Sequence, residues 1–377
     1  LTSHKKNSRW RVAIFFFLSL SAKGTAQRVA LESAVYQGRI WRHTPKLTTQ
    51  TGETLLGQEL GLRFQTTGRH DWHGWQRYPA LGISALHFRL GEGAHSHAFA
   101  LLPTLSIPLL RVRRCSAQFR LGTGLAWVAR PYDGFRNPSQ NAIGSHWNNA
   151  TQFRLQIEAR LSPHFRLHAG AGLTHFSNGG SALPNFGINL PAAHVGAAWF
   201  PRALREADFV PPRTSRRAAF RRVGGQMQGG LTLLEYGAFD GPKYPVWLGS
   251  AAGIFRFNRV SRVALGIDYE YNSAVAAFGQ HTALFESTAA ARRGATRVAW
   301  TAAGEFLFGP ISIQLLTGQY LGSRFNASVP LRRYAKLSAR GYLPKPFRGA
   351  PRPFVGISLK AHKFTAEYIS GNLGLEF

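Results

Sequence analysis

Phe165-Arg166-Leu167-His168-Ala169-Gly170-Ala171-Gly172-Leu173-Thr174-His175-Phe176-Ser177 alternates residue by residue between two unlike faces. Phe165, Leu167, Ala169, Ala171 and Leu173 stand on one face, and Arg166, His168, Gly170, Gly172 and Thr174 on the other. Successive side chains of a strand point to opposite sides, so this period predicts one long strand with an apolar face. The same parity carries His175 and Ser177 onto the apolar face, a base beside a hydroxyl on a surface with no affinity for water. Asn178-Gly179-Gly180 ends the pattern and Pro184-Asn185-Phe186-Gly187-Ile188-Asn189 begins the next one.

Working backwards, Ala150 to Leu161 repeats the design, with Phe153, Leu155, Ile157, Ala159 and Leu161 opposed to Gln152, Arg154, Gln156, Glu158 and Arg160. Ser116 to Arg130 does so too, with Ala117, Phe119, Leu121, Leu125 and Trp127 opposed to Gln118, Arg120 and Arg130. A soluble barrel has strands of about five or six residues and buries its apolar face inside. Strands about twice that long, with charges on the second face, suit a membrane barrel with a polar interior. Thirteen further segments alternate: 29–41, 56–68, 77–90, 97–112, 187–201, 224–240, 244–258, 260–273, 295–308, 311–323, 335–344, 353–360 and 363–377. The fold expected is therefore all-β, an antiparallel transmembrane outer-membrane β-barrel of 12–16 strands, centred on 14, with an eight-stranded barrel carrying long loops as the alternative. One barrel is expected to occupy 27–377.

The ends of the chain agree with export. Lys5, Lys6, Arg9 and Arg11 precede the apolar run Val12–Ala22, and Gly24-Thr25-Ala26 offers small residues for cleavage, so residues 1–26 are expected to be a signal peptide. That run is too short to span roughly 30 Å of hydrocarbon as a helix. The chain closes on Leu373-Gly374-Leu375-Glu376-Phe377, an ending like the last strand of bacterial outer-membrane barrels.

Forty-six Lys and Arg against 17 Asp and Glu give a formal charge of +29, which attracts polyanions. The basic residues are spread singly, apart from Arg111-Val112-Arg113-Arg114 and Arg213-Thr214-Ser215-Arg216-Arg217 with Arg221-Arg222, which read as turns. An exported chain meets little nucleic acid, so lipopolysaccharide is the polyanion expected and nucleic acid is not. Cys115 is the single cysteine and has no internal disulfide partner.

With both termini on the periplasmic side, odd-numbered strands run outward, long loops lie outside and short turns inside. The His175 strand is the seventh, so Ser177 is expected at its outer end. Pro131–Asn149 is long and polar, as an outer loop should be, and Ser162-Pro163-His164 is short, as an inner turn should be. Residues 202–223 break the rule and are read as a small plug or docking element.

A serine hydroxyl becomes a nucleophile when an imidazole takes its proton. The oxyanion formed needs preorganised donors, for which Asn178 and Gly180 are well placed, and a third group should fix the imidazole tautomer. Asn189, on the apolar face of the next strand with Pro191, Ala193 and Val195, is the candidate.

These residues resemble the outer-membrane lipid A deacylases and the related acyloxyacyl hydrolases. The pattern His-x-Ser-Asn-(Ala/Gly)-Gly-x-x-x-Pro-Asn-x-Gly runs from His175 to Gly187 without a gap, including Asn185. Asn141-Ala142-Ile143-Gly144-Ser145 and Gly187-Ile188-Asn189-Leu190-Pro191 match the longer members. The resemblance covers 137–201, reaches back to 77, and is not read from 202 onward. It implies an ester hydrolase that removes a hydroxyacyl chain from lipid A in the outer leaflet. His175 would be the base, Ser177 the nucleophile, and Asn178 with Gly180 the oxyanion hole. The family carries a glutamate where this chain has Asn189. In serine proteases an acid-to-amide change at the orienting position costs on the order of 10⁴ in turnover. Glu158 faces the lumen, which leaves Asp133 of the outer loop as a stand-in.

The competing reading is a non-catalytic outer-membrane barrel, a channel or surface-binding protein on the same scaffold. His70-Asp71-x-His73 and His95-x-His97 have ligand-like spacings but no third ligand nearby, so no metal and no cofactor is expected. Gly122-Thr123-Gly124 precedes no helix and is not a phosphate loop. A homodimer is compatible with this reading.

Overall fold

The computed structural model describes residues 28–377 apart from 50, 91–96, 238, 322–331 and 363–364. The signal-peptide expectation for 1–26, and His95, therefore lie outside the described residues. Sixteen strands are present, at the positions the alternation indicates. The first eight are β1 Arg28–Gly38, β2 Leu55–Gln65, β3 Ala80–Arg89, β4 His97–Val112, β5 Cys115–Val128, β6 Trp147–Arg160, β7 Phe165–Ser177 and β8 Ile188–Trp199. The second eight are β9 Val223–Glu235, β10 Lys243–Arg256, β11 Ser261–Asn272, β12 Thr296–Phe308, β13 Ile311–Tyr320, β14 Arg333–Tyr342, β15 Arg352–His362 and β16 Thr365–Glu376.

They do not close as one barrel. β8 returns to β1, with Val195 opposite Val35, and β16 returns to β9, with Leu373 opposite Gly229. The result is two closed antiparallel barrels of eight strands each. This corrects the single barrel expected over 27–377: the strand total falls within the expected range, and each closed unit has the size of the eight-stranded alternative. The period of 2 reports which face a side chain takes and carries no information about which strand closes the sheet.

The lumens supply the physical reason for closure at eight. An eight-stranded barrel is narrow enough for side chains to fill it. In barrel 1, Glu59 lies 2.6 Å from Arg120 and 2.8 Å from Arg154, and Arg120 also reaches Glu32 at 3.0 Å. Glu158 pairs with Arg63 and Arg166, so it faces the lumen as its parity requires. In barrel 2, Arg262 meets Glu305 at 2.9 Å and Lys360 meets Glu270 at 2.5 Å. Each cluster joins different strands across the interior, and a wider barrel would leave these charges apart in water. Outside, leucines such as Leu60 and Leu265 are about two-thirds exposed, forming the apolar bands that face lipid. No helix among the described residues is long and apolar enough to cross a membrane.

The barrels stand side by side with the same polarity. At the end holding Arg28 and Phe377, helix α1 (Asp71–Trp75) reaches across. Gln76 Nε2 donates to the Leu307 carbonyl at 2.7 Å, and Arg259 lies 5.5 Å above the Trp75 ring. Residues 202–223 link the barrels here. Leu204 joins a small core with Ala30, Ala198 and Phe200, and the Val210 amide donates to the Thr67 carbonyl at 2.8 Å. The Thr214 hydroxyl and the Arg213 amide donate to Asp71, holding its carboxyl below the ordinary range. At the opposite end, where the longer connections 129–146 and 273–295 lie, the Glu235 amide donates to the Gly180 carbonyl at 2.8 Å.

Candidate active site

β7 delivers His175 and Ser177 to the far end of barrel 1, on its outer surface. Phe176, between them, points inward and is fully buried in the barrel core, which fixes its two neighbours outward. The register places Thr151 of β6 and Asn189 of β8 on either side of His175, and Asn149 beside Ser177. Directly opposed residues share a face, so all five look outward.

Asn189 Oδ1 lies 2.7 Å from His175 Nδ1. An amide oxygen only accepts, so Nδ1 carries the proton and Nε2 is left as the basic nitrogen. Gly187, at φ +79°, passes so close that a Cβ there would sit 2.7 Å from His175 Cε1, which accounts for glycine at this position of the motif.

The Ser177 hydroxyl is held on the loop side. Asn185 Nδ2 donates to its oxygen at 3.0 Å and the Gly179 amide does so at 3.1 Å. Its described partners do not include His175. Asn178 serves the loop itself: its Nδ2 donates to Ser145 Oγ at 3.0 Å and to the Ala182 carbonyl at 2.8 Å. Its Oδ1 accepts from the Gly180 amide at 2.9 Å, so both expected oxyanion donors are already engaged. The donors that converge on Ser177 are Asn185 and Gly179.

Segment 141–145, part of the motif resemblance, proves to be the floor of this loop. The Gly187 amide donates to the Ala142 carbonyl at 2.8 Å, and a Cβ on Gly144 would strike the Leu183 carbonyl at 2.2 Å. Asp133 is not at the imidazole. Its carboxylate accepts the Arg136 and Phe135 amides of its own turn, which hold it below the usual range, so it does not stand in for the missing glutamate.

Three outward polar residues escaped the sequence reading. Asn149 Nδ2 donates to the Gly124 carbonyl at 2.8 Å and to Thr123 Oγ1 at 3.1 Å, and Thr151 Oγ1 donates to Asn149 Oδ1 at 2.9 Å. The signal available was a polar residue at an outward position in each of two otherwise apolar strands. Only the register shows that these positions adjoin His175. Gly122 and Gly124 turn to the lumen while Thr123 turns out.

The histidines with ligand-like spacing are placed otherwise. His73 Nδ1 accepts the Gly68 amide at 3.2 Å, and His87 and His97 pair with each other at 2.9 Å. Among the described residues no three His, Cys, Asp or Glu converge as a metal site. Both dense basic groups, 111–114 and 213–222, lie at the end opposite Ser177, so they do not form a lipopolysaccharide surface beside the site.

Comparison with known proteins divides the chain where the barrels do. Residues 57–198 match the family model of the lipid A 3-O-deacylase, PagL, and residues 223–377 match that of the acyloxyacyl hydrolase C-terminal domain. The second match extends the relationship beyond 202, where the sequence reading stopped. No curated protein matches in sequence. Among solved structures, the outer-membrane enzyme PagL is 16% identical, covering 44% of this chain and 97% of its own, at a TM-score of 0.31. CdiB from Acinetobacter baumannii is 8% identical, covering 94% and 60%, at 0.20. OccK3 from Pseudomonas aeruginosa is 8% identical, covering 96% and 98%, at 0.22. With one family model on each barrel, the chain belongs to the outer-membrane lipid A deacylase and acyloxyacyl hydrolase family.

Proposed function

We propose that this protein is a serine esterase of the outer membrane that removes a hydroxyacyl chain from lipid A, with chemistry on the lipid-facing side of barrel 1. The observation that carries the reading is the outward row of Asn189, His175 and Ser177, with the imidazole already held in the tautomer that leaves Nε2 basic. In the Michaelis complex the Ser177 hydroxyl turns from Asn185 to Nε2, a tightening usual on substrate binding. Its oxygen attacks the ester carbonyl carbon while the proton passes to Nε2. The sugar oxygen leaves with that proton, and an acyl-Ser177 remains. Water, deprotonated by His175, then attacks the acyl carbon, and as the acyl–Oγ bond breaks the imidazolium returns that proton to Ser177 Oγ, freeing the carboxylic acid. Asn185 Nδ2 and the Gly179 amide, both within 3.1 Å of Ser177 Oγ, are the donors nearest to where the oxyanion forms.

The test is direct. Incubated with lipopolysaccharide, the detergent-purified chain should yield lipid A lighter by one hydroxyacyl group, with the hydroxy acid recovered. An unchanged lipid A mass spectrum retires the reading. A channel gains no support from the lumens, since Arg120, Arg154 and Arg262 lie across them fully buried.

Asn189 leads to a second expectation. Its carbonyl orients His175 but adds no negative charge to stabilise the imidazolium, which a carboxylate would. Asn189→Glu should raise kcat by about tenfold or more, a modest share of the factor the reverse change costs in serine proteases. Unchanged or lower kcat would mean that the charge is supplied elsewhere.

A further inference from the structure

The catalytic pair faces outward, yet it does not face open lipid. Ser177 is only 1% exposed, and the loop that follows it packs against barrel 2. A Cβ on Gly179 would lie 2.7 Å from the Ile369 amide nitrogen, and one on Gly180 would lie 3.0 Å from Leu234 Cδ2. Both glycines have positive φ and no side chain, which lets the loop after Ser177 pack closely against strands β16 and β9.

Beside this contact a crevice runs between the barrels. Its barrel 1 side carries Leu121 and the hydrogen-bonded group of Thr123, Asn149 and Thr151, of which Asn149 and Thr151 are in register with Ser177 and His175. Its barrel 2 side carries Ile313, Leu337, Ala339, Ile357, Leu359 and Ile369, apolar apart from Ser338 among them. Polar side chains on the outer face of a membrane barrel are costly where they meet hydrocarbon. Here they are satisfied by one another and shielded by the second barrel.

We infer that this crevice is the acyl-chain slot of the enzyme and that barrel 2, through Leu337, Ala339, Ile357, Leu359 and Ile369, sets which fatty acyl chains are hydrolysed. The inference rests on the esterase reading above. The two walls suit the two parts of one ligand. The ester end meets Thr123, Asn149 and Thr151 next to Ser177, and the alkyl tail lies along the aliphatic wall. The crevice holds about 30 Å³, room for roughly one or two waters. A chain therefore enters by displacing barrel 2 side chains from barrel 1, and the bulk at those positions meters the length admitted. A free apolar groove open to the bilayer would accept any tail, whereas a slot between two walls discriminates.

The experiment uses the full chain in detergent with p-nitrophenyl butyrate and p-nitrophenyl myristate. Ala339→Phe should lower kcat/KM for myristate relative to butyrate by about tenfold or more, the scale on which a pocket senses one or two methylenes. Ile357→Ala, which opens the slot, should shift the ratio the other way, and it covers the case in which the larger side chain prevents folding. Leu265→Phe, on the lipid face of β11 away from the crevice, should leave the ratio at the wild-type value. A ratio unmoved by both Ala339→Phe and Ile357→Ala, while Ser177→Ala stops hydrolysis of both esters, overturns the slot and leaves the esterase standing. Hydrolysis indifferent to Ser177→Ala overturns the esterase, and the slot with it.

Discussion

Ser177→Ala should abolish release of the hydroxyacyl chain from lipid A, lowering turnover by at least about 10³-fold, while the barrels stay folded. Removing a serine nucleophile from a triad costs on the order of 10⁶ in turnover in subtilisin, and what remains comes from oxyanion donors and substrate positioning. The structural cost is small. The lost hydroxyl has Asn185 and the Gly179 amide as partners, so about 1 kcal/mol is at stake. The conservative substitution therefore separates chemistry from folding. Heat-modifiable migration on gels reports the closed barrels, and lipid A mass reports the reaction. His175→Ala should produce a similar loss, and the double variant should be little worse than either single one, because the two side chains act as one unit. Full deacylation by folded Ser177→Ala would remove Ser177 from the mechanism.

Glu59→Ala should destabilise barrel 1 by about 3–5 kcal/mol, read as a lower urea midpoint for unfolding in detergent. Glu59 is the carboxylate between Arg120 and Arg154, and it also accepts hydrogen bonds from Ser84 and Tyr36. Arg120 retains Glu32, but the described ion pairs of Arg154 comprise Glu59 alone. Truncation thus leaves a buried guanidinium whose remaining described hydrogen bond is to the Tyr36 hydroxyl. The penalty comes mainly from that stranded charge and not from the net worth of the pair. Glu59→Leu combined with Arg154→Leu should accordingly recover much of the loss. A Glu59→Ala chain with a wild-type midpoint would mean that water enters the lumen freely enough to solvate Arg154.

The two expectations concern the two faces of the same barrel wall. Inward positions hold complementary charges that define a narrow closed barrel, and outward positions hold either hydrocarbon or the reactive group. The positive charge of the chain follows a third pattern. Its densest groups lie in turns and in the linker at the end opposite Ser177, where they do not contact the substrate side. The affinity for lipid A is thus a property to look for at the motif loop and the crevice, and the +29 total is a poor guide to it.

Local periodicity marked the sixteen segments that form strands, although it centred the count on fourteen, because the side-chain period of a strand is written in consecutive residues. The same parity put His175, Ser177 and Asn189 on the outward face, where the structure has them. The pattern His-x-Ser-Asn-Gly-Gly with Pro-Asn-x-Gly was readable for a related reason: its glycines answer to backbone conformation, and Gly179, Gly180 and Gly187 all have positive φ. What consecutive residues could not contain was anything that depends on distant partners. Whether β8 turns back to β1 or goes on to β9 is decided by charges meeting across a lumen, such as Glu59 with Arg120, 61 positions apart. The engagement of Asn178 by Ser145, and the polar group of Thr123, Asn149 and Thr151, depend on register between strands. The sequence by itself thus determined strand order and facing, and it named the side chains proposed to react. Tertiary structure alone decided that there are two barrels and that the loop after Ser177 packs against the second, because closure and contact between barrels are set by groups that meet only after the chain has folded.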